Sequence, residues 1–301
     1  ADAAAIAYLA APGLEQPLLE ELQRAGVPVM RWHGRLALTD APPRHAAWAL
    51  ECWTTPVTVP VASVGEAARV LRGVQRNWAA YGAAHHRRMA LISAKLPPLH
   101  PKPLVFPVAP PASHLGAWTL LEPDLLLYSR TTTSPVPGGE WHFVEDHIGP
   151  PSRAYLKLYE ALTRLGERPG PGDRCIDLGA SPGGWSWVLA GLGADVLAVD
   201  RAPLDPRVVV PVRLESAFGL APERADWLFS DVIAYPARLL ALMQRWISAG
   251  CVRRIVCSVK FQGATDHDVA DAFAAIPGGQ VMHLWHNKHE LTFMWQTPIV
   301  A

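Results

Sequence analysis

Four charged residues stand at the ends of apolar segments in the second half of the chain. Lys157 lies in an amphipathic segment, Asp231 and Lys260 each follow an apolar run, and Glu290 precedes another. The carboxyl ends of neighbouring parallel strands share one edge of a sheet, so we expect Asp231 and Lys260 to converge there. Any one of the four could belong to a structural ion pair, because a buried charge needs a partner. Together they favour a site for acid–base chemistry.

A glycine-rich turn supplies the second chemical signal. Asp177-Leu-Gly-Ala-Ser-Pro-Gly-Gly-Trp185 follows an apolar strand and opens a helix. Gly179, Gly183 and Gly184 allow a sharp turn and a close approach of backbone to ligand. The phosphate-binding patterns GxGxxG and GxxxxGK[ST] are absent, and Pro182 lacks an amide that a phosphate would use. An ordinary tight turn is the alternative to a ligand site.

Asp200 closes the next apolar run, Asp195–Asp200. An acid at the tip of the second strand of an α/β sheet is well placed to accept hydrogen bonds from adjacent ribose hydroxyls. A strand-end aspartate that caps a turn is the alternative. The combination of this acid with the glycine-rich turn favours a nucleoside-containing ligand.

Regular alternation of strands and helices begins at Ser152 and predicts a mostly parallel sheet covered on both faces. The expected strands are Arg174–Asp177, Asp195–Asp200, Val208–Leu214, Trp227–Ser230, Arg254–Val259, Gln280–Trp285 and Leu291–Gln296. The expected helices between them are Gly184–Leu192, Pro236–Ser248 and Asp266–Ile276. The last two strands are joined by the polar turn His286–Glu290.

The first half of the chain has a different rhythm, which predicts a small α+β unit. Strands are expected over Ile6–Ala10, Val27–Trp32, Arg35–Thr39 and Leu125–Arg130, and helices over Glu15–Ala25, Pro43–Trp53 and Gly65–Trp78. A proline-dense stretch between Pro97 and Pro111 excludes helix and central strand. We therefore predict an N-terminal domain over residues 1–130, a linker over 131–151 and a second domain over 152–301.

Composition narrows the class of protein. The chain has 27 Lys and Arg residues and 27 Asp and Glu residues. This balance argues against a protein that binds nucleic acid through a large net positive charge. A local basic patch such as His85-His86-Arg87-Arg88 could still contact phosphate, or be a solvated loop. The four cysteines form no CxxC pair, so reduced thiols and a cytoplasmic location are expected. No apolar run approaches the roughly 20 residues that span a bilayer, and we expect no membrane partner.

Three histidines near the end of the chain raise the question of a metal. His283, His286 and His289 recur at every third position across a strand and a turn. That spacing scatters the side chains, which argues against a zinc site. We therefore predict no metal.

The second half resembles the FtsJ-like family of RNA ribose 2′-O-methyltransferases. The resemblance rests on Pro151-Ser-Arg-x-x-Leu-Lys157-Leu, on the Asp177–Trp185 turn, on Ala237-Arg-x-x-Ala-Leu-Met-x-x-Trp246 and on the Lys-Asp-Lys-Glu set. It implies a Rossmann-like class I methyltransferase sheet with an antiparallel last strand, S-adenosylmethionine as cofactor and RNA as substrate. Within the family, the motifs are most similar to those of bacterial enzymes that methylate a cytidine of large-subunit ribosomal RNA. The opening Tyr8-Leu-Ala-Ala-Pro-Gly-Leu-Glu15 is also similar to theirs.

The resemblance also implies residue roles. Lys260 would take the proton from the 2′-hydroxyl, with its pKa lowered by burial and by the charge of Lys157. Asp231 would orient Lys260, and Glu290 would hold Lys157 or bind the ribose. The cofactor would lie against Asp177, Gly179, Ala180, Ser181, Pro182, Gly183, Gly184, Trp185, Asp200, Ser216 and Asp231, with Ser216 at the position that normally contacts adenine.

The first half departs from the family pattern. Such enzymes join the catalytic domain to a ferredoxin-like region and a THUMP RNA-binding domain, whereas about 150 residues precede the catalytic part here. A reduced THUMP-like domain is therefore expected. Two alternatives are a methyltransferase that acts on another RNA or on a small molecule, and a non-catalytic RNA-binding protein. The sequence makes no prediction of the oligomeric state.

Overall fold

The computed structural model describes residues 5–112 and 114–299. The chain forms two compact units. The first consists of Ala1–Pro103 and Pro110–His142, and the second of Leu104–Ala109 and Phe143–Ala301. The short segment Leu104–Ala109 is therefore grouped with the second unit, where Leu104 forms a β-bridge with Phe143. This division differs from the predicted boundaries, and the roles of the two domains stay predictions.

The first unit contains two four-stranded sheets and three helices. Its elements are β1 (Ile6–Ala10), α1 (Glu15–Arg24), β2 (Val29–His33), β3 (Leu36–Thr39), β4 (Ala49–Trp53), β5 (Pro56–Pro60), α2 (Val64–Val74), β6 (Trp78–Ala80), α3 (His86–Ser93), β7 (Gly116–Glu122) and β8 (Leu125–Ser129), followed by a 3-10 turn at Pro137–Gly139. The sheet orders are β2-β3-β1-β4 and β5-β8-β7-β6. Leu9, Trp53 and Leu127 belong to one apolar cluster, which packs the two sheets of this unit together.

The helix predicted over Pro43–Trp53 is wrong. Residues 49–53 form β4, which pairs antiparallel with β1. Leu50 through Trp53 are all buried, so the strand lacks the alternation of apolar and polar residues that marks a half-exposed strand. A short run buried on both faces cannot be distinguished from a buried helix by its periodicity.

The helix predicted over Gly65–Trp78 is shorter than expected. The α2 helix ends at Val74, Gln75 adopts an extended conformation, and Trp78 begins β6. The α3 helix at His86–Ser93 was not predicted at all. Its residues Met89 and Ile92 are buried in the same cluster as Leu71 of α2, and this packing stabilises a helix whose sequence carries only a weak signal.

The second unit is built around a seven-stranded sheet. Its elements are α4 (Tyr155–Leu165), β9 (Arg174–Leu178), α5 (Gly184–Gly191), β10 (Asp195–Asp200), β11 (Val212–Leu214), β12 (Ala225–Ser230), α6 (Pro236–Ala249), β13 (Val252–Lys260), α7 (His267–Ala274), β14 (Gly279–Met282) and β15 (Glu290–Gln296). The strand order is β11-β10-β9-β12-β13-β15-β14. The first five strands pair in parallel, and β15 is antiparallel to both of its neighbours.

This topology confirms the predicted fold class, a Rossmann-like sheet with an antiparallel last strand. The order reverses between β9 and β12, which is the switch point where open α/β sheets bind ligands. The third strand is shorter than predicted, because only Val212–Leu214 pairs with β10. In the part of the chain that the structure describes, every helix is too short or too polar to span a lipid bilayer.

Candidate active site at the edge of the seven-stranded sheet

The four predicted charged residues meet in one cluster. Lys157 Nζ lies 2.7 Å from Asp231 Oδ1 and 3.0 Å from Glu290 Oε1. Lys260 Nζ lies 3.3 Å from the same Asp231 oxygen and donates a hydrogen bond to the Asp231 backbone carbonyl at 2.8 Å. Two lysine amines and two carboxylates therefore alternate in a connected network.

The sheet register explains why these residues converge. Asp231 directly follows β12, and β12 pairs in parallel with β13, whose last residue is Lys260. Lys260 is also the register partner of Glu290, the first residue of the antiparallel β15. Lys157 reaches the same edge from the first turn of α4. The ends of β12 and β13, the start of β15 and the first turn of α4 thus each place one charged side chain in the cluster.

Burial makes the charge pairing strong. The exposed fraction of the side chain is 12% for Lys157 and 7% for Glu290. Burial alone would lower the pKa of Lys157, but the charges of Asp231 and Glu290 outweigh it and raise that pKa above its ordinary value. Lys157 therefore keeps its proton, and its role is that of a fixed cation.

The glycine-rich turn lies at the carboxyl end of β9 and has little room for side chains. Gly179 has φ of +71°, and a Cβ atom there would come within 2.8 Å of Val232 Cβ. A Cβ at Gly184 would come within 2.9 Å of Ser152 Oγ. These two positions accept only glycine without displacement of a neighbour, so the turn brings its backbone close to the segments on either side.

Asp177 precedes this turn and is buried. It accepts a hydrogen bond from Ser186 Oγ at 2.7 Å. Burial raises the pKa of Asp177 to about 7, and the nearby carboxylates of Asp231 and Asp200 add to the shift. A group with such a perturbed pKa at a strand's carboxyl end is typical of a functional site.

Asp200, the last residue of β10, links the glycine-rich turn to this strand by a hydrogen bond. Its Oδ2 accepts a hydrogen bond from the Ser181 amide and its Oδ1 accepts one from the Ala202 amide, both at 2.9 Å. An ionised carboxylate has about four acceptor positions, so the two that remain can accept from a ligand. The Ser181 hydroxyl donates to the Pro203 carbonyl, which holds the turn from the other side.

The remaining predicted cofactor residues differ in their surroundings. Ser216 lies in the loop after β11, where its hydroxyl oxygen accepts a hydrogen bond from the Phe218 amide at 3.2 Å. Trp185 is only 4% exposed and donates its indole N–H to the Ala154 carbonyl at 2.9 Å. Ala180 is buried as well, and the Ser181–Pro182 peptide bond is cis. In the structure the Trp185 side chain packs in the core and stabilises the glycine-rich turn from its buried side.

Sequence reasoning missed three residues that support the cluster. Glu160 is fully buried and accepts hydrogen bonds from the turn before β15. His286 donates to Glu160, and Asn287 donates to Glu290. An acid three residues after Lys157 on the same apolar helix was the available signal. For His286, the only prediction from the sequence was that it does not belong to a zinc site.

The structure gives these histidines separate partners. His283 Nε2 lies 2.9 Å from the Lys288 carbonyl, His286 bonds Glu160, and His289 Nε2 lies 2.7 Å from Thr265 Oγ1. Within residues 5–112 and 114–299, no group of three or more His, Cys, Asp or Glu side chains could hold a metal ion.

Part of the second unit matches a known protein family. Residues 150–234 match the FtsJ-like methyltransferase family. The resemblance predicted from the sequence is therefore confirmed for the FtsJ-like region, which contains Lys157, the glycine-rich turn, Asp200 and Asp231.

Curated relatives match up to about half of the chain. The ribosomal RNA large subunit methyltransferase M of Halorhodospira halophila is 36% identical over 155 residues, which is 47% of this chain and 46% of the relative. The protein of the same description from Saccharophagus degradans is 40% identical over 121 residues, or 36% of this chain and 35% of the relative. The chain thus spans about half or less of the length of the curated relatives it matches.

Proposed function

We propose that this chain is an S-adenosylmethionine-dependent methyltransferase that modifies a ribose 2′-hydroxyl of RNA. The observation that carries the proposal is the alternating network of Lys157, Asp231, Lys260 and Glu290 beside a glycine-rich turn. A ribose hydroxyl is a weak acid, so its methylation requires a group that removes its proton. The network contains the amines of Lys157 and Lys260, whose surroundings differ, and one of the two suits the role of the base.

Lys260 is the better placed base. Lys157 has two carboxylates within 3.0 Å and a raised pKa, so it retains its proton. Lys260 contacts one carboxylate oxygen at 3.3 Å, and its side chain is the most exposed of the four at 21%. In this proposal, the proton moves from the 2′-hydroxyl oxygen to Nζ of Lys260, while the Asp231 carbonyl holds that amine in position.

The residues beside the cluster fit S-adenosylmethionine. Gly179 and Gly184 let the turn after β9 fold tightly against Val232 and Ser152. This turn lies at the switch point of the sheet, where open α/β sheets bind ligands. Asp200 has acceptor positions for ribose hydroxyls, and Ser216 supplies a hydroxyl at the expected adenine position. When bound, this cofactor would supply an electrophilic methyl group, and the chain's own groups would orient the acceptor hydroxyl and take its proton.

The distribution of charge supports an RNA substrate. Although the whole chain is neutral, residues 63–103 hold seven Lys and Arg residues and a single acid, Glu66. Arg69, Arg72 and Arg76 of this segment are exposed. Arg72 also donates a hydrogen bond to the Lys95 carbonyl, which brings the end of α3 beside α2. A cationic face of this kind binds phosphate backbones without regard to sequence, which supports the RNA-binding role predicted for the first domain.

The finer substrate assignment rests on the relatives. Their descriptions name large-subunit ribosomal RNA, and we propose the same class of RNA here, with the cytidine target that the family resemblance implies. A cytoplasmic location follows from such a substrate.

The decisive experiment is methyl transfer by a Lys260→Ala variant. With radiolabelled S-adenosylmethionine and large-subunit ribosomal RNA, we expect the rate to fall by about 10²- to 10⁴-fold, the usual share of a positioned base. Calorimetry should show unchanged cofactor binding. Arg168→Ala, which removes an exposed cation that lies outside the charged cluster and outside residues 63–103, is the control. A near-normal rate for Lys260→Ala at saturating cofactor would contradict the proposed base.

A separate experiment tests the RNA-binding role of the first domain. The Arg69→Gln/Arg76→Gln variant should weaken binding of a fluorescent oligoribonucleotide. It should also reduce the slope of log K against log salt by about 0.7 for each lost contact with single-stranded RNA. Arg44→Gln/Arg168→Gln removes two other exposed arginines and should bind as the wild type does. Equal binding by both variants would show that this face does not contact RNA.

A further inference from the structure

Glu160 is a completely buried carboxylate that the proposed reaction does not use. It lies on α4, three residues after Lys157, and is 0% exposed. Its two oxygens accept hydrogen bonds from the backbone amides of Trp285 at 2.9 Å and His286 at 3.0 Å, and from His286 Nδ1 at 2.8 Å. Three donors from one turn therefore converge on one side chain of the helix.

The carboxylate is ionised in spite of its burial. Burial alone would raise the pKa of Glu160, but the hydrogen bond from His286 and the positive charge of Arg164 at 2.9 Å hold that pKa below its ordinary value. An ionised carboxylate only accepts hydrogen bonds, so His286 must carry its proton on Nδ1. The contact is a charge-assisted hydrogen bond, which is stronger and more directional than a neutral one.

The same helix and the same turn also carry half of the charged cluster. Lys157 of α4 contacts Glu290 at 3.0 Å, and Glu290 follows His286 by four residues. The intervening turn is rigid, because Asn287 accepts hydrogen bonds from the Leu284 amide and the Thr292 hydroxyl and donates one to Glu290. The distance between α4 and this turn is thus set at two points, one of which is Glu160.

We propose that Glu160 and His286 act as positioning residues that hold the ammonium of Lys157 against Glu290. This inference rests on the proposed function, since it assigns a purpose to the position of Lys157. Without the contact between Glu160 and the turn, the Lys157–Glu290 pair would have to resist more of the relative motion of the helix and the turn. The geometry of the cluster would then loosen, although all four of its members remain in the chain.

The first test compares two substitutions of His286. His286→Ala removes the side-chain donor but leaves both backbone hydrogen bonds to Glu160, whereas His286→Asn places an amide N–H near the position of Nδ1. We expect His286→Ala to lower kcat for methyl transfer by about tenfold to a hundredfold, as a small displacement of reacting groups does. Cofactor affinity should not change, and His286→Asn should recover much of the loss. His147→Ala, an exposed histidine of the same unit, is the control.

The second test does not depend on activity. The chain has only five lysines, so NMR of protein containing ε-carbon-labelled lysine can follow Lys157 by itself. In His286→Ala, the pKa of Lys157 should fall from its raised value, because Glu290 no longer stays beside it while the lysine remains buried. An unchanged Lys157 titration in a folded His286→Ala protein would overturn the inference. A fall in that pKa without methyl transfer by the wild type would uphold the positioning role and refute the proposed function.

Discussion

Each unit buries a glutamate, Glu51 in the first and Glu160 in the second, and the two carboxyl groups differ in their charge. In the first unit, Glu51 on β4 is 3% exposed and receives a hydrogen bond from the Trp53 indole N–H at 3.2 Å. Burial raises its pKa to about 8, and the hydrogen bonds from Trp53 and Thr132, both neutral donors, only partly offset this. In the second unit, Glu160 is buried even more completely, yet its pKa lies below the ordinary value.

The difference lies in the partners and not in the depth of burial. Glu160 faces Arg164 and His286, and Glu290 faces Lys157. A buried charge without an opposite charge is neutralised by a proton, whereas one with a partner persists. The second unit therefore maintains ionised groups in fixed positions where the proposed proton transfer occurs. The first unit buries its acid as part of a largely apolar interior.

The largest effect should follow from removal of the cation at the centre of the charged cluster. Lys157→Met leaves Asp231 and Glu290 buried without their shared partner, which should destabilise the second unit by about 3–5 kcal/mol. Amide hydrogen exchange of α4 and β15 would measure this, because it reports each unit separately.

A double substitution sharpens this prediction. Asp231 keeps its contact with Lys260 in the single variant, so Glu290 is the carboxylate that loses its cation. Lys157→Met/Glu290→Gln removes that carboxylate, so part of the lost protection should return. If the double variant were less stable than the single one, the unpaired charge of Glu290 would not be the cause. The difference that we draw between the units would then fail.

A smaller, pH-dependent effect is expected at Glu51. Its pKa is about 8 in the folded protein against an ordinary value of 4.5. Between these two values the folded state keeps a proton that the unfolded state releases, so the contribution of Glu51 to the free energy of unfolding falls as pH rises and is constant above pH 8. Glu51→Gln has no such proton. The free energy of unfolding of Glu51→Gln relative to the wild type should therefore rise from pH 4.5 to pH 8, by about 5 kcal/mol in total.

Urea unfolding of the wild type and Glu51→Gln at several pH values would measure this difference. Glu20→Gln supplies a control in the same unit. A constant difference between Glu51→Gln and the wild type at all pH values would mean that Glu51 is ionised in the folded protein, and that the two units treat buried acids alike.

The second unit was the more predictable from sequence, for a physical reason. Its central parallel strands are mostly apolar runs bounded by turn residues, and Asp195–Asp200 was predicted with both ends correct. In the first unit, local preference and tertiary structure disagree. Residues 49–53 form a strand because they pair with β1. Pairing between distant segments cannot be predicted from a local sequence pattern.

The charged cluster was predicted because the ends of adjacent parallel strands must meet at one edge of a sheet. The convergence of Asp231 and Lys260 follows from that rule alone. The contacts of Glu160 with Trp285 and His286 join residues more than 120 positions apart. No periodicity or spacing relates a helix to a turn at that separation, so these contacts needed the three-dimensional structure.

The smallest effect is expected at an ion pair of the first unit. Arg31 and Glu122 lie 2.9 Å apart, closer than the 3.0 Å of Lys157 and Glu290, but their side chains are 41% and 50% exposed. Water screens an exposed pair, which contributes about 0–1 kcal/mol. Glu122→Gln should therefore change the urea midpoint little, and less still in high salt. A loss comparable to that of Lys157→Met would mean that distance, and not burial, determines the strength of these pairs.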